Sequence, residues 1–171
     1  VTENTKRFVN AFLALEKKLA YARHYPAIGY LTSYSGYTKS LEDYYAQEVA
    51  EDLLTVREEM MAILGEEEKL NSIVQLVGED VLPDDQRITI ELAKVIKRGF
   101  LQQNAMHKDD TFVPLKKQYV MLKVIKHLND RALDAHRKSI PLSEIRNPKL
   151  FEDVVKMKYT VPNDDLSKID D

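Results

Sequence analysis

Leu70 to Phe100 reads LNSIVQLVGEDVLPDDQRITIELAKVIKRGF. Ile73, Val74 and Val77 close one amphipathic run, and Gly78 follows as a helix stop. Glu79-Asp80-Val81-Leu82 makes an acidic turn. Pro83 fits the first position of a second helix, where its missing N–H costs nothing. Asp84 and Asp85 then fall in the first turn, where the helix dipole favours negative charge. Ile88, Leu92, Val95, Ile96 and Phe100 share one apolar face. The stretch therefore predicts two long helices presenting carboxylates at an exposed tip.

Outward from this hairpin the chain reads as all-α, a helical bundle with short tail helices. Its 171 residues are enough for a real core, and only five are glycine. The net charge of −3 gives no reason to expect nucleic acid or an anionic membrane as partner. The absence of cysteine excludes disulfides, thiol chemistry and cysteine-ligated metal. No apolar run approaches a membrane span. Val1 is not methionine, so the chain is expected to be a fragment of something longer.

Thr2 to Ala22 predicts an amphipathic helix, with Phe8, Phe12, Leu15 and Leu19 at helical spacing. Its apolar face belongs either in the core or against a missing neighbour. Arg23 to Tyr37, RHYPAIGYLTSYSGY, is a loop in which Pro26 pushes Tyr25 out of helical geometry. Its crowded tyrosines either pack the loop down or offer a stacking platform for a base.

Ser40 with Asp43 has the spacing of a capping box. Val49, Leu53, Val56, Met60 and Ile63 form a seam that continues through Leu70, Val74 and Val77. Gly65 predicts a bend or break there, with Glu66-Glu67-Glu68 as a solvated first turn beyond it. Asn104 to Val113 reads as a loop. Pro114 opens a helix to about Arg137, whose apolar line is Leu115, Tyr119, Leu122, Ile125, Leu128 and Ala132. Lys116, Lys117, Lys123 and Lys126 are expected on its solvated face, which could also meet an acidic partner. Pro141 opens one tail helix. Asn147-Pro148 starts another, to about Lys158. Asn163 to Asp171 is expected to fray.

Chemistry is scarce. No GxxxxGK[ST], GxGxxG or GxSxG occurs. His24, His107, His127 and His136 include no i, i+4 pair of the kind that binds zinc on a helix. No catalytic or metal-binding residue is therefore assigned, and the residues alone predict a helical interaction domain.

Five stretches nevertheless resemble the catalytic A subunit of V-type and archaeal-type rotary ATPases: RHYPAIGYLTSYSGY, EEEKLNSIVQLVGEDVLPDDQ, FLQQNAMHKDDTF, KKQYVMLKVIKHL and VVKMKY. They occur in family order along nearly the whole chain. More distantly the chain is similar to the C-terminal part of the F-type β subunit. The resemblance implies the C-terminal helical domain. Residues 1–24 would be the last helix of an absent nucleotide-binding domain, 25–160 the helical domain and 161–171 an acidic tail. It implies rotor contact at Asp80, Leu82, Asp84 and Asp85, on a two-helix lever. It implies an adenine-pocket wall at Tyr25, Ala105, Met106 and Phe112. Met106 stands where relatives usually carry phenylalanine or tyrosine, and a methionine can still cover a purine face.

ATP or ADP with magnesium would bind the full-length protein. No cofactor is expected for this piece alone, which should not hydrolyse ATP. The implied partners are the B subunit of the alternating ring and the central rotor shaft, with no nucleic acid and no membrane insertion. The implied location is cytoplasmic, on the periphery of a membrane-bound complex. The rival reading is a free-standing helical adaptor that binds its partner through the same acidic tip.

Overall fold

A computed structural model describes residues 8–146 and 148–169. The chain divides into two compact units, residues 1–54 and 55–171.

In the first unit the expected amphipathic helix is largely replaced by extended chain. Strand β1 (Ala11–Phe12) pairs antiparallel with β2 (Tyr34–Ser35), and Leu15 bridges Ile28. Only α1 (Lys17–Tyr21) is helical, and residues 1–7 lie outside the described part. The reason lies in the backbone partners. Gly36 N–H donates to Asn10 O, Gly29 N–H to Ala14 O, and Glu16 N–H to Ala27 O. The tyrosine-rich loop thus satisfies groups that a helix would have paired internally. Phe12, Ala14 and Glu16 are half-buried while Ala11, Leu13 and Leu15 are exposed, a period of two. Phe12 and Tyr34 stack at 6.2 Å, so at Tyr34 the packing alternative holds.

Helix α2 (Glu42–Glu48) starts without the expected capping box. The Ser40 hydroxyl donates to Tyr37 O at 2.9 Å, and no side chain caps the helix.

Helix α3 (Leu53–Val77) belongs to the second unit from Thr55 onward. It runs unbroken through Gly65, against the expected bend. Val56, Met60, Leu64 and Leu70 are buried, and buried Glu67 occupies the same stripe. That packing outweighs the local cost of glycine, about 1 kcal/mol. A Cβ at Gly65 would meet nothing within 4 Å. Gly65→Ala is therefore expected to raise the thermal midpoint by about 2–3 °C. A fall in calorimetry would show that the glycine serves a purpose the helix does not reveal.

Gly78 follows with φ 88°, a conformation that glycine adopts without strain, and a 3-10 turn (Glu79–Val81) reverses the chain. Helix α4 (Asp84–Val95) returns and widens into a π-helical turn (Ile96–Leu101). A short helix α5 (Lys108–Thr111) interrupts the expected loop. Helix α6 (Leu115–Arg137) has the expected extent. Helices α7 (Leu142–Ile145) and α8 (Pro148–Thr160) follow, with a final 3-10 turn at Leu166–Ile169. Asn147, read as an N-cap, lies outside the described residues.

The core of this unit gathers Ile88, Leu92 and Ile96 of the returning arm, Met121 and Ile125 of α6, and Val154 and Met157 of α8. Gly99 lets α8 come close, since a Cβ there would lie 3.3 Å from Val155 Cα. Among the described residues no helix is long and apolar enough to cross a membrane.

Candidate functional site

The hairpin tip is built on a small apolar fastener. Leu70 of α3, Leu82 of the turn and Ile90 of α4 form one buried cluster, with Val74 packed against it. Leu82, expected among the contact residues, is thus inside. The surface is made by Asp80, Asp84 and Asp85, with Leu76 and Val81 strongly exposed beside them. Arg87 lies beneath, its guanidinium 3.9 Å from Asp80 Oδ1 and 3.8 Å from Asp84 Oδ1. At such distances, and with exposed acids, the pairing is weak. The tip remains an acidic surface with an apolar rim.

The second place lies at the other end of the returning arm, roughly 25 Å away at 1.5 Å per residue. Here the chain from Gln102 to Val113 turns around α5. Asn104 Oδ1 accepts from Met106 N–H at 2.9 Å, and the Thr111 hydroxyl donates to Ala105 O at 2.8 Å. These bonds close the loop on itself. Ala105 is exposed, Met106 is 95% exposed and Phe112 is 74% exposed. Apolar side chains so presented leave their faces available to another surface. Tyr25 lies in the first unit, on the loop between the strands, and is 55% exposed.

Beneath the loop sits a buried polar network that the sequence reading missed. Lys117, expected on a solvated face, is fully buried. Its Nζ donates to Asp109 O at 3.2 Å, Lys158 O at 2.9 Å, Val161 O at 2.7 Å and Asn163 Oδ1 at 2.9 Å. Lys158 is also buried, and its Nζ donates to Arg98 O at 2.8 Å and Gln102 O at 2.5 Å. The Lys158 ammonium lies 3.8 Å from Asp110 Oδ2, which accepts from Asn104 N–H at 2.6 Å. Asn163 binds the loop twice, from its N–H to Asp109 Oδ1 and from its amide to Phe112 O. His107 lies 4.8 Å from the Tyr159 ring.

Burial pulls both lysines below the ordinary lysine value, while Asp109 and Asp110 oppose this at Lys117 and Asp110 does so at Lys158. Burial also pushes the Tyr159 hydroxyl up, helped by Asp110.

Two further charges depart from expectation. Glu67, read as solvated, is buried and accepts from Lys97 Nζ at 2.6 Å and from the Asn71 amide at 2.5 Å. Lys126 bridges Glu59 of α3 at 2.7 Å and Asp130 at 3.2 Å, and the Glu59 bond raises its pKa. One signal was available for Lys117, Lys158 and Glu67. Each stands at an apolar-phase position of its helix, and a charge in that phase is either an error of phase or a buried partner. Among the described residues no group of three or more histidines and acids stands together to hold a metal ion.

Residues 42–146 match the model of a family described as the C-terminal domain of V and A type ATP synthase. The V-type ATP synthase alpha chain 2 of Clostridium tetani is 57% identical over 169 residues, covering 99% of this chain and 28% of its own length. The A subunit of the A-type ATP synthase of Methanopyrus kandleri is 46% identical over 168 residues, covering 98% and 28%. Among solved structures, NeqB of Nanoarcheaum equitans, described as a unique ATP synthase subunit, aligns with a TM-score of 0.57 over 73% of this chain and 29% of that one. Its 18% identity makes this a likeness of fold. The chain spans a little over a quarter of the length of these relatives.

Proposed function

The chain belongs to the family of C-terminal domains of V- and A-type ATP synthases, and from that membership we propose that it serves a rotary, ion-translocating ATPase in two ways. Its hairpin is a lever whose tip meets the central shaft. Its loop 102–113 is one wall of the adenine pocket of the catalytic chain. The B subunit of the ring is the neighbouring partner, and the domain sits on the periphery of the membrane complex.

The observation that carries the lever is the division of labour at the tip. Leu70, Leu82 and Ile90 hold the two arms together from inside, while Asp80, Asp84 and Asp85 face outward. A stiff arm with a charged, weakly paired end can push without adhering, because exposed charges favour steering over permanent contact. Leu82 acts through the fastener, and Val81 and Leu76 add the apolar surface.

The nucleotide role is confined to the base. Magnesium and the phosphates require a phosphate loop, whose motif is absent from these residues. Phe112 and Met106 offer an aromatic and a polarisable face for adenine, and such stacking is worth about 1–3 kcal/mol per base. That is too little for useful affinity without the phosphate contacts.

The test is the triple variant Asp80→Ala, Asp84→Ala, Asp85→Ala. Its thermal midpoint in the 171-residue chain is expected within about 2 °C of the parent, since exposed acids contribute little to folding. In the assembled complex, ATP hydrolysis is expected to drive less ion transport per ATP consumed. Unchanged coupling would remove the lever reading.

A further inference from the structure

The π-helical turn leaves one carbonyl free in the last turn of the returning arm. In an α-helix, Gln102 N–H would donate to Arg98 O. Here it donates to Lys97 O at 2.8 Å. Arg98 O is left for another donor, and Lys158 supplies it at 2.8 Å. The same ammonium takes Gln102 O at 2.5 Å, where the helix has already ended. On its other side stands Asp110, whose carboxylate holds Asn104 N–H at 2.6 Å. One buried cation therefore touches the last turn of the lever arm and the acid that shapes the loop. Both Lys158 and Asp110 are almost completely buried, so water competes little for these bonds.

We propose that Lys158 is a positioning residue for the nucleotide-facing loop, fastening it through Asp110 to the π-helical end of the hairpin arm so that loop and arm move together. This rests on the reading of the loop as an adenine wall. A return of the last turn to α-helical register would give Arg98 O back to Gln102 N–H, so the π turn favours the Lys158 bond to that carbonyl. Lys158 touches no nucleotide in this scheme, and its effect passes through the backbone at 102–104 and α5 to Met106 and Phe112.

The test places Lys158→Met, Asp110→Asn and Phe112→Ala, one at a time, in the full-length protein within its complex. Steady-state ATP hydrolysis is measured with inorganic tripolyphosphate as a competitor that has no base. Lys158→Met and Asp110→Asn are expected to raise KM for ATP about tenfold with kcat within about twofold, and to leave inhibition by tripolyphosphate unchanged. In the 171-residue chain, amide exchange at Asn104 and Met106 is expected to quicken at least about tenfold in Lys158→Met, with α6 still protected.

If Phe112→Ala raises KM and folded Lys158→Met does not, the fastening is wrong and the adenine wall stands. If Phe112→Ala leaves KM unchanged, the adenine wall itself is wrong, and this inference falls with it. If kcat, tripolyphosphate inhibition and KM all change together in Lys158→Met, the lysine is merely structural and the proposal is overturned. Should that variant fail to assemble, Asp110→Asn, which keeps the side-chain shape, decides by the same criteria.

Discussion

Lys117→Met is expected to lower the thermal midpoint of the chain by about 10 °C, while Lys116→Met one residue away leaves it nearly unchanged. The difference follows from what each ammonium touches. Lys116 is exposed, whereas Lys117 is fully buried among four acceptors. One of these is Lys158 O, near the C-terminal end of α8. Its regular helical donor would be the N–H of residue 162, which is proline and has none. Lys117 supplies the missing donor from another helix. It takes Val161 O as well, so it caps α8 from the side.

Burying a charge is costly, and replacing a whole buried charged set with apolar groups can be neutral. Methionine replaces only the donor. The carbonyls of Asp109, Lys158 and Val161 remain buried in place, and removing one side of such a set costs about 3–5 kcal/mol. The loop contacts through Asn163 would loosen with them. A midpoint within about 2 °C of the parent, read by circular dichroism, would mean that water replaces the ammonium at no cost. The network would then be wet rather than dry.

The helical parts of the fold were legible where apolar spacing and punctuation agreed. Gly78 and Pro83 marked the tip, Pro114 marked α6, and the structure places the turn and that helix there. The first unit was not legible, because Phe8, Phe12, Leu15 and Leu19 fit helical spacing while the extended chain is held by backbone bonds to residues 27–36. Long-range pairing leaves no trace in a local period.

The geometry of the candidate site was legible only in outline. Asp80, Asp84 and Asp85 stand out in the sequence as exposed acids, but the place of Leu82 inside a cluster depends on Leu70 and Ile90. Residue type alone assigns lysine and glutamate to solvent. At Lys117, Lys158 and Glu67, helical phase is the better guide. Lys117 precedes Met121, Ile125 and Leu128 on one buried stripe, and Lys158 follows Val154 and Met157 on another. Burial of a charge needs a partner from elsewhere in the chain, and the identity of that partner is what the sequence withholds.

Glu67 carries the second large effect. Glu67→Ala is expected to lower the midpoint by about 5–10 °C, corresponding to about 2–3 kcal/mol. Its carboxylate accepts from Lys97 at one oxygen and from Asn71 at the other, in the stripe by which α3 packs. Alanine would leave the Asn71 amide and the Lys97 ammonium without that acceptor and would open a void between two core positions, Leu64 and Leu70. The Lys97 side chain is 22% exposed and can reach water in part, which keeps the loss below that for Lys117.

Lys97→Met should cost at least as much, because it strands the more deeply buried member. The two losses are coupled, so they should not add. Glu67→Leu with Lys97→Met removes both charges and fills the volume, and its midpoint is expected within about 3 °C of the parent. If the double variant instead falls by the sum of Glu67→Leu and Lys97→Met measured singly, the two side chains act independently. The bond would then not be what ties α3 to the π-helical end of the returning arm. If the double variant recovers, the Glu67–Lys97 bond is a replaceable cross-brace between α3 and the returning arm.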